Sequence, residues 1–232
     1  MKILVTGGSG FIGTNFVSKA LLRGHTIHNI DNLSLFKKDY NKESNNYFFS
    51  KIDIREKYYL SEIINEFKPN KIVHFAAESH VDKSIQNPDN FINTNIIGTY
   101  NILQVALDFF KSSHVTDNFC FHHISTDEVY GSLKINEAAF TEETTYKPNS
   151  PYSASKASSD HLVRAWKKTF DLPCVITNCS NNFGPYQHPQ KFIPVIITSG
   201  IKKKKIPIYG NGKNIRDWIY VEDHVDGLIT IL

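Results

Sequence analysis

The chain has 232 residues, room for one large α/β domain, or for one domain and part of a second. Hydrophobic residues make up 41% and charged residues 21%, an ordinary globular mix, so neither a disordered nor a fibrous protein is expected. A net charge of +3 is too small to argue for nucleic acid, and the one basic block, Lys202 to Lys205, reads as a solvated helix end or loop.

In chain order, the first apolar run, Ile3–Thr6, predicts a strand, and Phe11–Arg23 a helix. Further strands are predicted at Thr26–Ile30, Tyr47–Lys51, Lys71–Phe75, Phe119–Ile124 and Cys174–Asn178, with helices at Tyr58–Phe67, Pro88–Lys111 and Ser153–Phe170. In the long central helix, Ile92, Ile96, Tyr100, Leu103 and Leu107 fall on one stripe. Short apolar runs alternating with helical segments predict a doubly wound, Rossmann-type parallel sheet with helices on both faces. Beyond Asn178 the texture changes. Asn181–Tyr186 reads as a turn-rich loop, followed by a helix at Phe192–Ile201, a strand at Ile206–Tyr209, a Gly-Asn-Gly turn, a strand near Trp218–Val221 and a closing helix from Glu222. The expected division is a dinucleotide-binding domain over 1–180 and a smaller substrate lobe, begun but not finished, over 181–232.

Cys120, Cys174 and Cys179 form no CxxC pair and read as reduced core thiols, with no metal site. No apolar run is long enough to span a bilayer and no signal peptide precedes the first strand, so a cytoplasmic protein with no membrane partner is expected.

Gly7, Gly10 and Gly13 follow a strand and open a helix, the context in which a glycine-rich loop cradles a pyrophosphate. Glycine permits the tight turn and close backbone approach, and the helix N-terminus offers free N–H groups and positive dipole to the phosphates. Asp31 ends the second strand 18 residues after Gly13, where a carboxylate accepts both ribose hydroxyls and repels a 2′-phosphate. No Arg follows it directly, which favours NAD over NADP. Asp53 and Ile54 follow the third strand, near the expected adenine, although a simple strand-end Asp fits the same spacing. Ala76 and Ala77 follow the fourth strand and are small enough for close backbone approach.

Tyr152 and Lys156 are four apart on a helix and so share a face. A neighbouring ammonium is expected to favour the phenolate, letting Tyr152 take the proton of a sugar hydroxyl while hydride leaves the same carbon. Asp127 and Glu128 follow the fifth strand, at the sheet end where such folds bind ligands. Adjacent carboxyls in different surroundings can serve as acid and base, which a plain alcohol dehydrogenase does not need. Together these residues point to oxidation coupled to loss of water.

The chain resembles the extended short-chain dehydrogenase/reductase family and, within it, the nucleotide-sugar 4,6-dehydratases. The likeness runs from Met1 to Leu232 and is carried by the stretches His74–Ser84, Ser125–Gly131, Asn178–Tyr186 and Ile215–His224. The Asp-Glu pair is its most discriminating mark, since related 4-epimerases usually lack it. Phe183 stands where the family usually has Tyr, and Lys83 where Arg is common.

The resemblance implies dTDP-glucose as substrate and a 4-keto-6-deoxy sugar as product, with UDP-glucose dehydration, epimerisation or an inactive NAD-binding fragment as the alternatives. Thr126 and Tyr152 would act at the 4-hydroxyl, Glu128 would remove the proton at carbon 5, and Asp127 would protonate the departing 6-hydroxyl. Phe11, Ile12, Asp31, Asn32, Leu33, Ser34, Asp53, Ile54, Ala76, Ala77, Thr94, Tyr152, Lys156 and Asn182 would surround NAD. Ser79, Thr126, Asn181, Lys191, Phe192, Pro207, Ile208, Tyr209 and Arg216 would hold the nucleotide sugar. A homodimer packed through the helices near Pro88–Lys111 and Ser153–Phe170 is also implied, as are relatives that continue past Leu232 to complete the substrate lobe.

Overall fold

The computed structural model describes residues 1–41, 44–112, 118–134, 136–208 and 210–232. Six strands, β1 (Lys2–Thr6), β2 (Thr26–Ile30), β3 (Tyr47–Ser50), β4 (Lys71–His74), β5 (Cys120–Thr126) and β6 (Cys174–Cys179), form one sheet in the order β3-β2-β1-β4-β5-β6. Every pairing in it is parallel.

Side-chain alternation along the strands divides the core in two. Ile3 and Val5 of β1, with Ile27 and Val73, pack on Phe16, Val17 and Ala20 of α1 (Phe11–Leu22) and on Val225 and Leu228 of α8 (Val221–Ile231). Leu4, Ile30, Ile72 and Phe121 face the other way. They meet Leu60 and Ile64 of α2 (Lys57–Phe67), Ile102 and Leu103 of α5 (Thr99–Ser112) and Val163 of α6 (Pro151–Phe170). The closing helix α8 therefore completes one face of the main sheet, resting against α1. Lys19 of α1 and Arg23, just past its end, reach Asp226 of α8 across this contact.

The chain leaves β1 toward β2 on one side, while β4 pairs with β1 on the other. Strand order reverses there, and a crevice opens beyond the carboxyl ends of β1 and β4. Loops from β2, β5 and β6 end on the same side of the sheet because all six strands run in one direction.

The predicted central helix runs without a gap from Pro88 to Ser112, but its winding changes on the way. A short helix, α3 (Val81–Gln86), precedes it, and Pro88, which lacks an N–H, opens its first turn, α4 (Pro88–Phe91). Ile92–Gly98 then winds as a π-helix before α5. The wider turn breaks the apolar stripe: Leu103 and Leu107 are buried, whereas Ile92 and Tyr100 are exposed. It also brings Asn95 inward. The Asn95 amide accepts from Glu78 N at 2.8 Å, donates to Glu78 O at 3.0 Å and donates to Ser155 Oγ of α6 at 2.8 Å.

The segment after β6 also departs from the sequence reading. Asn181–Phe183 forms a strand, β7, parallel to β8 (Trp218–Tyr220). Three residues without alternation carry no local strand signal; a distant partner makes the strand, as the bond from Asn181 N to Asp217 O shows. Ile206–Ile208, expected as a strand, has no strand partner among the described residues, and Tyr209 lies outside them. The helix α7 (Phe192–Ile201) forms as expected but buries no residue. No helix among the described residues is long and apolar enough to cross a membrane.

Replacing Asn95 with Ala removes three hydrogen bonds from a buried position, so Asn95→Ala is expected to cost about 1–3 kcal/mol in urea unfolding. An unchanged midpoint would show that the π-helical turn does not depend on this side chain.

Candidate active site

The loop after β1 is shaped by close backbone approach. Gly7 has φ +75°, and a Cβ there would sit 2.6 Å from Ala76 N, so glycine alone lets β1 and β4 release their loops side by side. A Cβ on Gly13 would lie 2.2 Å from Gly7 O. Gly10 precedes α1, and no side chain caps that helix. The first turn, including Phe11 and Ile12, thus presents backbone N–H groups and helix dipole to the crevice. Asn29, buried beneath the loop, accepts from Gly8 N at 2.9 Å and donates to Ser9 Oγ at 2.9 Å.

Asp31 stands at the rim, accepting from Ser9 N at 3.1 Å and Leu33 N at 2.8 Å. Burial raises its carboxyl pKa, and those two backbone donors pull it back. Asn32 donates to Asp53, which is also gripped by Arg55. At Asp53, burial works upward but is outweighed by the Arg55 hydrogen bonds, leaving the carboxyl at about 2. Ile54 is buried against Gly98, and Ala76 and Ala77 line the end of β4. Ser34 is exposed and Thr94 half-buried. An anion-binding glycine loop, an uncapped helix start and a rim carboxylate fit a dinucleotide.

On the other side of the crevice, Thr126 ends β5. Its hydroxyl accepts from Glu128 N at 3.3 Å, starting a single turn of 3-10 helix over Asp127–Tyr130, and donates to Asp127 Oδ1 at 3.3 Å. Both acids are thereby held at the sheet end. Tyr152 enters from α6, whose start is fixed by reciprocal hydrogen bonds between Ser150 and Ser153. The charges of Glu128 and Asp127 are both felt at the Tyr152 hydroxyl.

Burial raises the Glu128 carboxyl pKa, and the negative charge of Asp127 adds to that; Lys191 and Arg216 oppose it. Burial also raises Asp127, against its bond from Thr126 and the charge of Arg216. The Tyr152 phenol is raised rather than lowered, first by burial and then by Glu128. This corrects the expectation that Lys156 holds Tyr152 toward the phenolate. The Lys156 ammonium is turned to the sheet, donating to Ile124 O at 2.8 Å.

Of the residues expected on the substrate side, Lys191 donates to Ser79 O at 3.4 Å and its charge is felt at Glu128, while that of Arg216 is felt at both acids. Arg216 is exposed and donates to Ile215 O. Phe192 stacks on Trp218 with ring centres 6.1 Å apart. Asn181 is held in β7, and Asn182 Oδ1 accepts from His224 Nδ1 at 2.8 Å, turning toward α8. Pro207 and Ile208 are exposed. Asn29, Asn95, His123 and Asp160 escaped the sequence reading. Only Asp160 carried a legible signal, its four-residue spacing from Lys156.

A family model described as GDP-mannose 4,6 dehydratase matches residues 4–232. The chain is 49% identical to a dTDP-glucose 4,6-dehydratase of Salmonella typhimurium, covering 100% of this chain and 68% of that protein. The chain belongs to this dehydratase family. Its fold matches the crystal structure of a Bacillus anthracis dTDP-glucose 4,6-dehydratase in complex with NAD, at TM-score 0.88 and 42% identity, over 100% of this chain and 71% of that one. A Streptomyces venezuelae member, also crystallised with NAD, matches at TM-score 0.87 and 39% identity, with the same shares covered.

Within the family frame, the electrostatics at Tyr152 are open to direct measurement. Glu128→Gln removes the larger of the two carboxylate charges acting on the phenol. Tyr152 should then ionise at lower pH, read by tyrosinate difference absorbance with Tyr152→Phe as the reference. An unmoved titration would mean that burial alone sets the phenol.

Proposed function

We propose that this chain is an NAD-dependent hydro-lyase that dehydrates dTDP-glucose to dTDP-4-keto-6-deoxy-glucose. The observation that carries this reading is the placement of two neighbouring, partly buried acids against Tyr152 at the mouth of a dinucleotide crevice. The names of relatives up to 49% identical support the substrate.

Bound NAD supplies a reversible store for the hydride moved from carbon 4 to carbon 6 of the sugar. The protein's residues do the rest. Tyr152 takes the proton of the 4-hydroxyl in its phenolate form, which burial and Glu128 keep the minor one, with Thr126 orienting that group. Once carbon 4 is a ketone, the proton on carbon 5 is acidic. Glu128 removes it, with a raised pKa that strengthens it as a base. Asp127, also raised, delivers a proton to the departing 6-hydroxyl, and Glu128 returns its proton to carbon 5 as the hydride comes back to carbon 6. Lys191 and Arg216 offer positive charge to the diphosphate, and a guanidinium can bind it in a bidentate manner. Gly7, Gly10 and Gly13 with the start of α1 hold the pyrophosphate of NAD, and Asp31 its ribose.

In this reading residues 1–180 bind the cofactor, and the β7–β8 region with α7 begins the substrate lobe. The closing helix α8 supports the cofactor domain. The protein works in the cytoplasm as a homodimer. The exposed Ile92 and Ile97 of the π-helical segment and Tyr100 of α5 supply an apolar face for that contact.

With NAD and dTDP-glucose, the product should be a 4-keto-6-deoxy sugar, detected by its absorbance in alkali and by mass. Faster turnover of UDP-glucose would reassign the base. Glu128→Gln should still oxidise carbon 4 in a single turnover but lose water about a hundredfold more slowly or worse, the usual scale for a lost general base. Full-rate elimination by that variant would refute the assignment. Gly7→Ala forces a side chain into a left-handed position and against Ala76, so NAD affinity should fall about tenfold or more by equilibrium titration.

A further inference from the structure

Tyr152, Lys156 and Asp160 lie four apart on α6 and share a face. The proposed mechanism uses Tyr152, and the sequence pairs Lys156 with it; neither accounts for Asp160. Asp160 is 2% exposed, a depth at which a carboxylate needs a partner. Its Oδ2 accepts from Ser125 Oγ at 2.7 Å and from Tyr146 Oη at 3.0 Å. Its Oδ1 lies 3.2 Å from His123 Nε2. The same nitrogen lies 3.4 Å from Lys156 Nζ, so one edge of His123 stands between the anion and the cation.

The groups around this cluster are otherwise neutral. His123 of β5 is held down to about 4 by burial and by Lys156. His74 of β4, ring centre 5.3 Å from that of His123, is bonded at both nitrogens to Thr6 and Thr99 hydroxyls, and burial holds it well below its usual value. Burial raises Tyr146, from the loop before α6, and Tyr130, from the turn after β5; it lifts the Cys179 thiol of β6 to about 11. Lys156 and Asp160 are left as the one basic and acidic pair flanking the edge of His123. Burial pulls the Lys156 pKa down, and the charge of Asp160 opposes it.

We propose that Asp160 is a positioning residue for Lys156: across the edge of His123 it supplies the counter-charge that keeps the ammonium charged and seated against β5, in a site closed to water. The inference rests on the reading of Tyr152 and Lys156 as the catalytic pair, but its test needs no turnover. Without Asp160 the buried cation is uncompensated, and the site escapes by shedding the lysine proton.

The test is a double-mutant cycle on urea unfolding of the full chain, with Asp160→Asn and Lys156→Met. With Lys156 present, Asp160→Asn should lower the folding equilibrium constant about tenfold or more. In the Lys156→Met background the loss should fall below about threefold. Equal losses in both backgrounds overturn the proposal. Should Asp160→Asn alone fail to fold, recovery of folding in the double variant supports it and continued failure overturns it.

The pH dependence gives a second readout. A desolvated lysine binds its proton more weakly folded than unfolded, so stability rises with pH until the unfolded pKa is reached. The Asp160→Asn deficit should shrink between pH of about 7 and about 10. A deficit independent of pH, as expected from merely losing the bonds of Ser125 and Tyr146, also overturns the proposal.

Discussion

All six main strands run in one direction, and the sheet changes hands between β1 and β4. That arrangement gathers chain segments far apart in sequence at one edge. Gly7 can lie against Ala76 only because β1 and β4 are hydrogen-bonded neighbours whose following loops turn apart. Asp31 comes from the end of β2, and Thr126 with its two acids from the end of β5. The glycine loop, the rim carboxylate and the acid pair are thus consequences of one topological fact. Tyr152 and Lys156 join them because α6 covers the far half of the same sheet.

The chemistry depends on how deeply this edge is buried. Desolvation raises Asp127 and Glu128, which suits one to deliver a proton and the other to withdraw one from a weakly acidic carbon. The same desolvation works against Tyr152, whose phenol is held neutral. Lys156, a helical turn away, is seated against β5 instead, and it needs an anion of its own to remain charged. The Tyr152–Lys156–Asp160 face of α6 reads as a graded line of charge from the crevice into the core. His123 and His74, kept neutral by burial, leave that balance undisturbed.

Packing beyond the crevice serves the same end. Asn95 ties the loop after β4 to α6 through Glu78 and Ser155, so the cofactor side and the catalytic helix are joined by a buried amide. The π-helical turn that delivers Asn95 breaks the helical stripe and leaves Ile92 and Tyr100 at the surface.

The doubly wound sheet was legible in the chain itself. Alternating short apolar runs and amphipathic segments can bury their faces only as layers, and Gly7, Gly10, Gly13 and Asp31 mark the crevice by spacing because backbone conformation is a local property. Tyr152 and Lys156 share a face for the same local reason. The tertiary structure alone decided what depends on distant partners. It made a strand of Asn181–Phe183 by pairing it with β8, left Ile206–Ile208 without a strand partner among the described residues, and set α8 against α1. It also turned Lys156 toward Ile124 and surrounded Tyr152 with acids instead of a cation. Charge and burial are sums over everything nearby in space, and a linear order of residues does not contain those distances.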